Sequence, residues 1–163
     1  MPTDPILIPF ETRNHDHKRC IRSALDQARA VCRARGLRLT PVRRRVLELI
    51  WRRHAPVKAY DILEQLQAEQ RKAAPPTVYR ALTFLLDAGF VHRIESLNAY
   101  VGCGDPSEPH GGQFLICRSC QAVAEINDPA ITRLLGREAG KLGFQADRQT
   151  VEIKGLCPRC RAA

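Results

Sequence analysis

The stretch Pro75-Pro76-Thr77-Val78-Tyr79-Arg80-Ala81-Leu82-Thr83-Phe84-Leu85-Leu86-Asp87-Ala88-Gly89 decides how the rest of this 163-residue chain is read. Val78, Ala81, Leu82, Leu85 and Leu86 recur at helical spacing and form one apolar face. Tyr79, Arg80 and Thr83 cluster on the opposite face, because positions i, i+1 and i+4 lie together on a helix. The pattern predicts a helix over Thr77–Ala88, closed by Gly89. Two short runs follow, Val91–Glu95 and Ala99–Val101, flanking Ser96-Leu97-Asn98 as the arms of a hairpin. Upstream, a helix is expected from Ala59 to Gln70 with Ile62, Leu63 and Leu66 inward. Another starts with Thr40 as its cap and Pro41 at its first position, with Val42, Val46, Leu47, Leu49 and Ile50 inward. A further one covers Lys18 to Arg35, with Ile21, Leu25, Ala28 and Cys32 at helical spacing and Gly36 at its end. Three helices leading into a helix and a hairpin make a winged helix-turn-helix, in which Thr77–Ala88 is the element suited to a major groove.

Downstream the pattern changes. Gly102–Gly112, punctuated by Gly104, Pro106 and Pro109, reads as a hinge. Gln113–Cys117 and Ala122–Asn127 read as strands, and Asp128-Pro129 opens a helix expected to bury Ile131, Leu134, Leu135, Ala139 and Leu142. Phe144–Ile153 alternates enough for a last strand or two. The expected class is therefore α+β, a winged helix at residues 21–101 and a small α/β domain at 113–163, with residues 1–20 as a loose arm and 102–112 as the linker. A second domain of about 50 residues is below the size that folds comfortably alone, so it needs a staple or a partner.

Charge separates the same two regions. Residues 1–95 carry 18 Lys and Arg against 10 Asp and Glu, whereas residues 96–163 carry 8 against 7. The basic excess sits on the winged-helix part, the footprint of a unit that binds a polyanion, although a merely soluble basic surface has the same composition. No run approaches the roughly 18 apolar residues of a spanning helix. The first ten residues carry Pro2, Asp4, Pro5 and Pro9 in place of a basic stretch and an apolar one, so a cytoplasmic protein with no membrane contact is expected.

Seven cysteines carry the chemistry, and an odd count argues against a disulfide framework. Cys117-Arg-Ser-Cys120 and Cys157-Pro-Arg-Cys160 are two Cys-x-x-Cys turns, each presenting a close pair of thiolates. Four cysteines suit a closed, tetrahedral structural zinc that leaves no position open for catalysis; a redox pair or unlinked thiols are the alternatives. A looser set brackets the hinge: His92, Cys103, His110 and Glu125. Jointly they offer a mixed nitrogen, sulfur and oxygen site whose single thiolate suits zinc. Individually they also read as a surface histidine, a small buried residue, a loop residue and a solvated strand end. His15, His17 and Cys20 lack a fourth ligand and are not expected to hold metal, and His54 reads as a residue closing a helix C-terminus.

With these motifs assembled, the sequence resembles the ferric uptake regulator superfamily, specifically its zinc-uptake branch. The resemblance rests on Leu39-Thr40-Pro41-Val42-Arg43, Ala59-Tyr60-Asp61-Ile62-Leu63, Pro75 to Leu86, Gly89-Phe90-Val91-His92, Glu95 to Val101 and both Cys-x-x-Cys pairs. It implies a homodimeric, metal-dependent repressor of zinc-uptake genes, with the C-terminal domain as the dimerisation domain and double-stranded operator DNA as the partner. It implies two zinc ions per chain, a structural one at Cys117, Cys120, Cys157 and Cys160 and a regulatory one at His92, Cys103, His110 and Glu125. It also points to Tyr60 and Arg80 as DNA contacts. On the helical pattern Thr77, Tyr79 and Thr83 join them, with Arg43 and Arg44 nearer the phosphates.

Other functions are weaker. An iron- or peroxide-sensing member would share the fold, but Cys103 in the hinge set favours zinc. A zinc deaminase needs His-x-Glu and Pro-Cys-x-x-Cys; this chain has no His-x-Glu, and Leu156 precedes Cys157. No aromatic-rich strand suggests an RNA-stacking sheet. Neither an enzyme nor a receptor for a small organic ligand is expected.

Overall fold

The structure, a computed structural model, describes residues 5–10, 16–69 and 73–162 and falls into two compact units. One comprises residues 11–109, the other residues 1–10 and 110–163.

The first unit is the winged helix. Helix α1 (His17–Arg35) starts where the Asp16 carboxylate accepts from the backbone N–H groups of Lys18 and Arg19, and it ends at Gly36 in the left-handed region, φ 64°. Helix α2 (Pro41–Trp51) is capped by the Thr40 hydroxyl, which accepts from the Arg43 N–H. Helix α3 (Ala59–Glu69) and helix α4 (Pro75–Asp87) follow. Helix α4 begins two residues earlier than expected, because Pro75 and Pro76 lack only N–H groups that a first turn leaves unused. Strands β2 (Val91–Ile94) and β3 (Ala99–Gly102) form an antiparallel wing, with Val91 opposite Gly102 and Ile94 opposite Ala99. Leu25, Ala28, Val46, Leu47, Ile50, Ile62, Val78, Leu82, Leu85 and Val91 share one core. The apolar faces inferred for the four helices all point into it.

The second unit is a four-stranded sheet in the order β1 (Ile6–Ile8), β5 (Val123–Ile126), β4 (Gly112–Cys117), β6 (Thr150–Gly155), with helices α5 (Pro129–Lys141) and α6 (Pro158–Arg161). Strand β6 runs parallel to β4, a pairing that the long connection through β5 and α5 allows, and the other pairs are antiparallel.

Two expectations are corrected here. Residues 6–8 of the arm are a strand, not a loose segment: β1 caps the β5 edge, with Ile8 opposite Glu125, and the Pro5 carbonyl accepts from the Asn127 N–H at 2.7 Å. An edge strand's unmet hydrogen-bonding groups are a sufficient reason. Helix α5 forms as expected, capped by Asp128, but buries none of its residues: Leu134 is 47% exposed, Leu135 41% and Leu142, just past its end, 86%. Among the described residues nothing fully covers its apolar stripe, of which Ile131 and Ala139 are only half-buried. Among the described residues no helix is long and apolar enough to cross a membrane.

Candidate metal centre and nucleic-acid interface

The sheet register assembles the cysteine cluster. Cys117 ends β4 and lies opposite Gly155 of the parallel strand β6, two residues before Cys157. The first Cys-x-x-Cys turn is closed by the Gln121 N–H donating to the Cys117 carbonyl, 2.9 Å, with Gln121 at φ 61°. The Arg118 N–H donates to the Gly155 carbonyl, 2.9 Å, and fastens this turn to the end of β6. Cys157 then stands at the start of α6 and Cys160 lies within it. The long separation between the pairs is thus closed by a crossover that returns the chain to its starting edge.

All four sulfurs lie within 4.8 Å of one another, with Cys120 and Cys157 3.7 Å apart. Backbone N–H groups of Cys157, Cys120 and Ser119 aim at Cys117 and hold its thiol down to about 6, against the opposing effect of burial. Cys120 is lowered too, first by the Ala122 N–H. Cys160 goes up to about 11: the Ser119 hydroxyl favours its thiolate, but the Cys120 and Cys157 sulfurs, burial and Cys117 outweigh it. Sulfurs crowded together cannot all ionise without a cation among them, and N–H donors aimed at Cys117 and Cys120 favour the thiolate form that zinc takes. The donor set fits tetrahedral zinc.

The four hinge residues belong to the two units in pairs. His92 and Cys103 lie in the winged helix. Val101 faces His92 across the wing, and the Cys103 N–H extends the ladder by donating to the Phe90 carbonyl at 3.0 Å. Opposite residues share a face and so do residues two apart, so His92 and Cys103 are on the same side of the wing. Both are buried, 5% and 3% exposed. In the other unit, His110 Nε2 is 2.9 Å from Glu125 Oε1. Glu125 is 2% exposed and flanked by Phe114 and Ile8 on the neighbouring strands. A buried carboxylate has to be compensated by a cation or a protonated partner. Each unit thus offers one pair of buried, metal-competent side chains.

Helix α4 buries Val78, Ala81, Leu82 and Leu85 and exposes Tyr79, Arg80 and Thr83, with Thr77 half-buried at its start. Tyr60 stands 66% exposed in the first turn of α3, and its hydroxyl bonds to Glu64, which raises the phenol above its ordinary value. Arg44 is exposed. Arg43 is not free: its guanidinium lies 3.7 Å from the Phe84 ring centroid and donates to the Arg38 carbonyl at 2.6 Å. Arg45 is committed to Glu48 and Glu69 and ties α2 to the end of α3.

Two positioning residues escaped the sequence reading. Arg35 donates to the carbonyls of Ala88, Pro106 and Ser107, pinning the segment after Cys103 against the end of α1. Trp51 packs against Gly102, where an added Cβ would lie 2.2 Å from the indole. Neither stands in a motif; only their partners, 53 to 72 residues away for Arg35, reveal them. His15 lies outside the described residues.

The comparisons with known proteins agree with this architecture. The zinc uptake regulation protein of Escherichia coli is 40% identical over 144 residues, covering 88% of this chain and 84% of that protein. A solved zinc uptake regulator complexed with zinc and DNA is 40% identical, with a TM-score of 0.83 over 87% of this chain and 95% of that one. The holo form of a regulator called XcZur is 46% identical, with a TM-score of 0.81 over 86% and 99%. The model of the ferric uptake regulator family matches residues 34–154, which takes in the last three helices of the winged helix, the wing, strands β4 and β5 and most of β6. The chain belongs to the ferric uptake regulator family.

Proposed function

We propose that this protein is a zinc-responsive transcriptional regulator, which binds operator DNA as a zinc-loaded homodimer and represses zinc-uptake genes. The observation that carries the proposal is the union in one chain of a four-sulfur cluster and a winged helix that displays Tyr79, Arg80 and Thr83. The naming of the E. coli relative and the zinc- and DNA-bound state of the solved one support the same assignment.

Two zinc ions per chain follow from the donor sets. Cys117, Cys120, Cys157 and Cys160 hold the structural ion, and their closed set leaves no place for a reacting ligand, so the cluster argues against an enzyme. His92 and Cys103 from the winged helix, with His110 and Glu125 from the sheet unit, hold the regulatory ion. When bound, that ion supplies a cross-link between groups that otherwise need not stay together. The single thiolate of Cys103 selects zinc over iron or manganese, which sets this assignment above an iron or peroxide sensor.

At the DNA, Arg80 forms a bidentate pair with a guanine edge. Tyr60, Thr77, Tyr79 and Thr83 line the same approach, and Arg44 meets phosphate with Arg43 close by. A second copy of the chain covers the stripe of Leu134, Leu135 and Leu142 together with Ile153 on the edge strand β6, all exposed in the single chain. Two α4 helices then reach successive major grooves about 34–36 Å apart.

The test is operator titration at buffered free zinc for the wild type and Cys103→Ser, with zinc content measured in parallel. The variant is expected to keep its structural zinc and its dimer but to lose the zinc dependence of DNA affinity. By linkage, DNA no longer raises its zinc affinity either. A variant that retains the full zinc response places the switch elsewhere.

A further inference from the structure

The chain passes between the two units twice, at residues 10–11 and 109–110, and the second passage lies between Cys103 and His110 of the hinge set. Most of the segment joining those two residues is fastened down. On the winged-helix side, Gly102 is held against the Trp51 indole, and the Cys103 N–H donates to the Phe90 carbonyl at 3.0 Å. The Asp105 carboxylate accepts from the Ser107 N–H at 3.1 Å and from the Ser107 hydroxyl, which closes a local turn around the buried Pro106. The Arg35 guanidinium, from the last position of α1, donates to the carbonyls of Pro106 at 3.4 Å, Ser107 at 3.0 Å and Ala88, just past α4, at 3.1 Å. A planar fork of donors can serve several carbonyls at once, so this one side chain ties the turn to the ends of two helices. On the sheet side the chain is fixed from His110 onward. His110 Nε2 lies 2.9 Å from Glu125 Oε1, a Cβ on Gly111 would meet the Gln149 carbonyl oxygen at 2.9 Å, and Gly112 is paired with Thr150. Glu108 and Pro109 stand between the two fastened stretches, and both are exposed.

We propose that the swivel at this passage is Glu108-Pro109 alone, and that Arg35 is the positioning residue that confines it there. The inference rests on the reading of His92, Cys103, His110 and Glu125 as the regulatory zinc set. It narrows the linker from residues 102–112 to that one dipeptide. The dipeptide is also stiff: the proline ring fixes φ at Pro109, and a residue that precedes proline is held in extended conformations. Zinc that takes ligands from both ends of so short a connection removes little chain entropy, because few backbone bonds have to be fixed. Without the Arg35 fork, the turn around Pro106 still closes on itself but is no longer tied to the helices. The connection that moves then grows to residues 104–109. Arg35 thus touches neither zinc nor DNA; it lowers the free zinc at which the two units are joined.

The experiment is a zinc titration of the full chain against a competing chelator, with a melting curve recorded for each variant. Arg35→Met keeps the aliphatic stem and removes the donors. It should weaken the exchangeable ion by about fivefold, the loop-closure effect of the longer connection, and leave the four-cysteine ion unchanged. The sign is diagnostic, because losing a positive charge would by itself strengthen the binding of a divalent cation. Arg35→Lys, a point charge without the planar fork, should recover only part of the affinity. Pro109→Gly leaves the clamp intact and loosens the swivel itself, so it should weaken the exchangeable ion in the same direction; it carries the test if Arg35→Met does not fold. Unchanged affinity in a folded Arg35→Met overturns the role of Arg35, and unchanged affinity in Pro109→Gly overturns the swivel. A wild-type chain with no exchangeable ion overturns the regulatory-zinc reading and this proposal with it, so the two failures are read from different samples.

Discussion

Arg80 and Arg44 are both exposed cations of the winged helix, and the proposed function gives them different work. Arg80 shares a helix face with Tyr79 and Thr83, where a guanidinium can read a base edge. Arg80→Ala should cost about 1–3 kcal/mol on the operator and little on random DNA. Arg44→Ala should weaken all DNA alike and flatten the salt dependence by about one unit of slope. Titrations on operator and scrambled duplexes at several salt concentrations separate the two; equal loss on both duplexes for Arg80→Ala would make it a phosphate clamp. Gly102 is a residue-scale constraint of another kind. A Cβ there meets the Trp51 indole at 2.2–2.5 Å, a clash with a rigid ring in a packed core. Gly102→Ala should therefore destabilise the winged helix by about 1–3 kcal/mol, seen as a lower Tm and altered Trp51 emission. An unchanged melting curve would mean that the indole moves aside freely.

Helix α5 is amphipathic yet carries no buried residue, so its role is set at the level of the element, not of any one side chain. Exposed leucines on α5, and Ile153 at 52% exposure on the open edge strand β6, are stable only if another surface covers them. Leu135→Glu and Leu142→Glu should each weaken self-association by roughly tenfold or more, since burying a leucine is worth about 1.5–3 kcal/mol. Sedimentation velocity across a concentration series reads this directly, and a doubly substituted chain that remains dimeric would move the interface to another face. The opposite edge of the same sheet is already closed by β1, a three-residue strand beside Glu125. The two edges of one sheet thus differ: one is covered by β1, the other, β6, is left open and carries the exposed Ile153.

For the whole molecule, the proposed zinc at the cysteine cluster is expected to decide whether the sheet unit stays folded. Strands β4 and β6 meet at Cys117 and Gly155, and the sulfurs beyond them stand where neighbouring thiolates repel unless a cation joins them. Structural zinc in small domains contributes about 10–16 kcal/mol of binding free energy, more than a unit of this size can supply from its core. Cys157→Ser should lose the bound ion, the dimer and the cooperative melting transition together. A zinc-free variant that is dimeric and melts normally would remove the structural role. Chelation of the wild type should reproduce the same collapse, and more readily as pH falls, because protons compete with the metal for thiolates.

Helical periodicity, caps and paired turns are local properties, and the sequence determined everything that rests on them. Thr40, Asp128 and Gly36 marked helix ends, the spacing in Val78–Leu86 chose the buried face, and the two Cys-x-x-Cys turns marked the four cysteines whose sulfurs the fold brings together. Long-range pairing decided the rest. That Leu134 and Leu135 are apolar said they would be covered, but only the packing showed that their own chain does not cover them. The arm's short apolar run carries no period, so its place on β5 depended on an edge formed some 120 residues later. Trp51 and Arg35 look like ordinary surface or core residues until the fold brings their partners from elsewhere in the chain. A lone side chain has no spacing to read, so its role is fixed only when tertiary structure supplies the second group.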